Sequence, residues 1–152
     1  MKRWKVSGDH SMTYGKGEWM RIGPACSFGK PVTVPEFLAR LPETIAPDAA
    51  ELAHIFCDVT GHEPIMWGPA IVGYGETNPG AKPDCLCDGL EIGFAARPDR
   101  LFLYLRHYAS YYEEFSTRLG NVHCGRACIS FASLADVDRA VLRELLTYAW
   151  HG

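Results

Sequence analysis

Cys85-Leu86-Cys87 and His123-Cys124 are the densest groupings of soft metal donors in the chain. Four such ligands could surround a zinc ion, because thiolates and imidazole are its preferred donors. The C-x-C spacing is tighter than that of a zinc knuckle and lacks a second knuckle to match it, so a pair of loop thiols is the simpler reading. A catalytic cysteine would need an arranged base to lower its pKa. His54 and His62 flank Cys57 in sequence, but no motif organises them, and Cys57 and Cys128 read as small buried hydrophobes. No G-x-S-x-G, H-E-x-x-H, P-loop or dinucleotide fingerprint is present. Trp67-Gly68-Pro69 is more informative. Trp67, Tyr74 and Tyr104 could wall a cleft on a sheet, with His107 and Arg126 as its polar rim, and nearby glycines would let a ligand approach the backbone. Arg126, beside Gly125, could meet an anionic group. The competing reading places Trp67 in the core, where an indole buries a large area.

Any such site must be positioned by regular elements. Pro35 suits the first turn of a helix over 35–41 that Pro42 ends. From Pro47 the helical signals strengthen: Asp48 and Glu51 suit a positive N-terminus, and Gly61 suits the stop. Leu52, Ile55, Phe56 and Val59 form one stripe at helical spacing. Ile65-Met66-Trp67 and Ile71-Val72-Gly73-Tyr74 read as short strands, and residues 75–89 as a loop. Leu90–Phe94 alternates as a half-buried strand, and the Arg97-Pro98-Asp99 turn makes 101–105 its antiparallel hairpin partner. Ser110 and Glu113 have capping-box spacing ahead of a helix stopped at Gly120. His123-Cys124 reads as loop and Cys128–Phe131 as strand. Ser133 or Asp136 caps a final helix carrying Val137, Val141, Leu142, Leu145 and Ala149 on one face.

This order predicts an α+β domain over 33–152, with helices packed on one face of an antiparallel sheet. Residues 1–32, punctuated by glycines, read as an N-terminal extension, either a hairpin turning on Gly15-Lys16-Gly17 or a loosely attached segment. The 152 residues suffice for a substantial core, and the net charge of −3 is a poor match to nucleic acid. No apolar h-region follows the basic first residues and no run is long enough to span a membrane, so the expectation is a cytoplasmic protein with reduced cysteines.

The segment Val59-Thr60-Gly61-His62-Glu63-Pro64-Ile65-Met66-Trp67-Gly68-Pro69-Ala70-Ile71-Val72-Gly73-Tyr74-Gly75 closely resembles the core signature of the YdhG-like domains, a bacterial family of unknown function. The likeness continues through Gly93-Phe94, Leu103-Tyr104-Leu105, Leu119-Gly120, Gly125-Arg126-Ala127-Cys128 and Leu134-Ala135-Asp136-Val137-Asp138. It implies a frataxin-like two-layer sandwich, with some relatives described as iron-chaperone-like and no enzymatic reaction attached. The aromatic and basic stretch that many relatives carry after the position of Gly75 is replaced here by 76–88. A frataxin-like acidic ridge would have to come from Glu36, Glu43, Asp48, Glu51 and Asp58, interrupted by Arg40.

The expectation is therefore a non-enzymatic binding domain for a small molecule, metal or protein. It calls for no cofactor, no nucleic acid and no membrane. The alternatives are an iron chaperone, or a redox or zinc protein built on Cys85, Cys87, His123 and Cys124.

Overall fold

Thr33 opens the first helix of the computed structural model, which describes residues 33–66, 70–76 and 90–151 together with the backbone of a strand pair at 5–6 and 12–13. That pair, β1 (Lys5–Val6) and β2 (Met12–Thr13), is antiparallel and lies nearer the N-terminus than the hairpin expected around Gly15-Lys16-Gly17, which falls outside the described residues. Helix α1 (Val34–Ala39) begins one residue before Pro35, behind an N-cap at Thr33. The Thr33 hydroxyl accepts from the Glu36 amide and donates to the Glu36 carboxylate, satisfying an orphan N–H at the helix start.

Helix α2 (Ala46–Thr60) follows the expected pattern. Leu52, Ile55 and Phe56 are buried and Val59 packs beside them. Gly61 ends the helix in the left-handed conformation (φ 71°), its amide bonded to the Cys57 carbonyl. The Asp48 carboxylate accepts from the Ser133 hydroxyl and the Leu134 amide, tying the start of α2 to a segment 85 residues away.

One six-stranded sheet carries the rest. Its strands are β3 (Ile65–Met66), β4 (Ile71–Glu76), β5 (Leu90–Arg97), β6 (Arg100–Tyr104), β7 (His123–Cys124) and β8 (Cys128–Phe131), in the order β3-β4-β5-β6-β8-β7. Every pairing is antiparallel, including the β5–β6 hairpin. The α+β class with helices on one face is thus what the chain adopts. Pairing register decides which side chains share a face. Val72, Tyr74, Ile92, Phe94, Leu101, Leu103, Ile129 and Phe131 point into the core beneath the helices. Ile71, Ala95, Phe102 and Tyr104 cluster on the other face.

Three expectations for the last third need correction. Ser110 does not cap a helix. Residues Ala109–Tyr112 form a 3-10 turn pinned by the bond from the Ala109 amide to the Arg126 carbonyl, and the turn runs directly into α3 (Glu113–Leu119). Tyr112, at the junction, is not extended, so no side-chain cap can form there. Likewise α4 (Arg139–His151) starts later than expected. Ser133 caps a short 3-10 turn (Leu134–Asp136), while Asp138 accepts from the amides of Ala140 and Val141. Val137 therefore precedes the helix, bridging to Gly120, and Leu146 joins Leu142, Leu145 and Ala149 on its buried face. His123-Cys124, read as loop, is the edge strand β7, too short to carry a periodic signal.

The helices lie over one face, with α4 between α2 and α3. Exposed ion pairs lace α2 to α4: Glu51 takes two donors from Arg139, and Asp58 pairs with Arg143 at 3.5 Å.

Candidate functional site

The antiparallel order brings four strand ends together at one end of the sheet. The ends of β4 and β6 meet the starts of β5 and β8 there, and the C-terminal turns of α2 and α4 reach the same end. At this end Gly75 (φ 77°) lies so close to its neighbours that a Cβ would come within 2.9 Å of both the Trp150 ring and the Glu91 side chain. Only glycine fits that conformation and that space. His62 meets the edge of Trp150 at 5.1 Å, and the Arg106 guanidinium lies 5.6 Å from the same indole while pairing with Glu91 at 2.8 Å. The C-terminus of α4 is fastened to the sheet by these contacts.

Beside that fastening lies an aromatic surface. The exposed large hydrophobics among the described residues are Tyr108, Tyr111 and Tyr148. Tyr111 stacks against Tyr148 with their hydroxyls 3.3 Å apart, and His107 packs on Tyr111 at 4.3 Å between centroids. Phe115, on α3, supports Tyr148 at 5.2 Å. The Arg126 guanidinium lies 5.3 Å from the Tyr108 ring, a cation–π contact made possible because the Ala109 amide holds the two loops together.

Tyr112 underlies the cluster, edge-on to both Tyr111 and Tyr148 and only 1% exposed. Its hydroxyl has no hydrogen-bond partner among the described residues. Burial pushes its pKa above the ordinary tyrosine value, because the phenolate would be poorly solvated. The backbone amides of His107 and Arg106 oppose that rise without reaching hydrogen-bond geometry. The Tyr148 hydroxyl is also raised, by its bond to Tyr111 and then by charge repulsion from it.

The residues expected to form one cleft are divided by the fold. Tyr74 is fully buried on the helix side, stacked on Phe56 at 5.0 Å and donating from its hydroxyl to the Ala53 carbonyl at 2.8 Å. Tyr104 stands on the opposite face, across from Gly93 and Cys128. Two side chains on opposite faces of a sheet cannot wall the same cleft. Trp67 lies outside the described residues. His107 and Arg126 are brought to the same end, but around Tyr108 and Tyr111 rather than Tyr74.

Of the zinc alternative, only His123 and Cys124 lie among the described residues. Cys85 and Cys87 lie outside the described residues. His123 and Cys124 are adjacent on β7 and so project to opposite sides. Among the described residues no three His, Cys, Asp or Glu side chains are grouped to hold a metal. Cys57 is buried, as expected of a small hydrophobe, while Cys128 is half-buried, its thiol pushed up by burial and by its neighbour Cys124.

No family model, curated protein or solved structure matches this chain. The tyrosine surface thus rests on its own geometry. Sequence reasoning missed Tyr111 and Tyr148 because they are 37 positions apart and meet only through the packing of α3 on α4. The run Tyr108-Ala109-Ser110-Tyr111-Tyr112 was the available signal, since three tyrosines in five residues exceed what one buried stripe needs.

Proposed function

We propose that this chain is a non-enzymatic binding domain of the YdhG-like kind, acting in the cytoplasm, that takes a protein partner on the tyrosine surface at the strand ends. One observation carries the reading: Tyr111 and Tyr148 are exposed and stacked on each other, and Tyr108, three residues before Tyr111, is exposed with Arg126 against its ring. Tyrosine and arginine dominate the energetics of protein interfaces, since each offers a large flat contact area together with hydrogen-bond donors. The Tyr111 and Tyr148 rings are already ordered by their mutual stacking and by Tyr112 beneath them, so little of their conformational entropy is lost on docking. His107 packs on Tyr111, a role that fits a recognition surface better than proton transfer. Among the described residues no helix is long and apolar enough to cross a membrane.

The test is a random-peptide display selection against the folded protein, followed by affinity measurement on Tyr111→Ala combined with Arg126→Ala. Selected peptides should lose about tenfold or more in affinity, corresponding to roughly 1.4 kcal/mol. The melting temperature should hold, since both side chains are exposed. Peptides that bind the double variant equally well, or a selection that yields none, would overturn the reading.

A further inference from the structure

At the opposite end of the sheet, Arg97 and Arg100 face each other across the last rung of the β5–β6 hairpin. Like charges directly opposite in an antiparallel ladder repel, and sequences ordinarily avoid the pairing. Here neither guanidinium has a carboxylate at ion-pair distance among the described residues, although Asp99 sits in the turn between them. Both cations are nevertheless held in place. The Arg100 Nε donates to the Ser130 hydroxyl at 2.9 Å, and one of its terminal nitrogens lies 3.5 Å from the Ser130 carbonyl. Ser130 is 1% exposed, so this anchor belongs to the sheet itself. The Arg97 guanidinium lies 5.7 Å from the centroid of Phe102, its diagonal neighbour on the helix-free face. Arginine carries five N–H donors, and among the described residues these contacts leave most of them unused.

We propose that Arg97 and Arg100 form a binding site for a phosphate ester with a flat apolar body. Two guanidiniums match the double charge of a phosphate monoester and can each engage its oxygens through the planar fork. The half-buried Phe102, already beside Arg97, supplies a surface for the body of the ligand. The site lies at the far end of β5 and β6 from the tyrosine surface and stands or falls independently of it.

Phenyl phosphate is the probe, titrated into the intact protein and followed by amide and arginine Nε chemical shifts. Saturable binding should perturb Arg97, Arg100 and Phe102, and Arg97→Gln should weaken it about tenfold or more, as loss of a charge-assisted hydrogen bond implies. Arg97→Lys should weaken it as well, because the ammonium keeps the charge but lacks the fork. Arg97 is exposed, so its variants test binding without disturbing the Ser130 anchor. Inorganic phosphate should bind more weakly than phenyl phosphate; equal affinity would overturn the apolar body. Absence of saturable binding up to about 10 mM, or equal affinity in Arg97→Gln, would overturn the site, since even millimolar affinity needs only about 4 kcal/mol.

Discussion

Tyr112 buries a phenol hydroxyl that has no hydrogen-bond partner among the described residues. A phenol hydroxyl buried without a partner forfeits its hydration, a loss of about 1–3 kcal/mol. Tyr112→Phe removes that hydroxyl and keeps the ring, so chemical unfolding at neutral pH should show stability equal to or above that of the parent. The sign of the pH dependence follows from linkage. Folding raises the Tyr112 pKa above its ordinary value of 10.0, so above that pH the unfolded chain releases a proton that the folded chain retains. Stability from this group is complete below pH 10.0 and declines as pH rises from there through the folded value. Tyr112→Phe should therefore flatten the alkaline fall between about pH 9.5 and 11. Unchanged steepness in paired urea titrations would show that other groups, Cys128 among them, carry that fall.

The helices are joined to each other and to the sheet by contacts of very different worth. Asp48 accepts from a hydroxyl and a backbone amide in a half-buried setting, and it fixes α2 against the turn ahead of α4. Removing it strands the Leu134 amide, which costs about 1–3 kcal/mol. Glu51 and Arg139 are exposed and screened, and such pairs contribute about 0–1 kcal/mol. Thermal unfolding should rank Asp48→Ala well below Arg139→Ala in melting temperature; the opposite ranking would mean that the ion pairs, not the cap, hold α4 in place. The distinction was partly legible beforehand. Asp48 reads from sequence as an acid suited to a helix N-terminus, but its long-range partner at Ser133 does not, because no periodicity links positions 85 apart.

Across the whole molecule, the same helix acids bear on iron. Asp48 is hydrogen-bonded to Ser133 and Leu134, Glu51 is bound to Arg139 and Asp58 to Arg143, while Glu36 closes the cap of α1. A hard cation such as ferrous iron needs several converging carboxylate oxygens, and here each would first have to leave its present partner. Anaerobic calorimetry should therefore find no stoichiometric ferrous binding at micromolar concentration. A micromolar site abolished by Asp48→Ala with Glu51→Ala would contradict this and favour the iron-chaperone alternative.

Local sequence determined what local physics can decide. The stripe of α2 with its Gly61 stop, the β5–β6 hairpin at Pro98-Asp99 and the burial of Leu142, Leu145 and Ala149 all follow from 3.6- or 2-residue periodicity and turn chemistry. The capping at Thr33 and Asp138 was equally present in the chain, though obscured by neighbouring residues that can also cap. Only the tertiary structure decided the sites. Register sent Tyr74 inward and Tyr104 outward, dividing a cleft that their sequence context had grouped. The packing of α3 on α4 brought Tyr111 to Tyr148, and the β6–β8 pairing set Ser130 under Arg100. The physical reason is that helix and strand preferences act over a few residues, whereas a surface is assembled by whichever distant elements share a core.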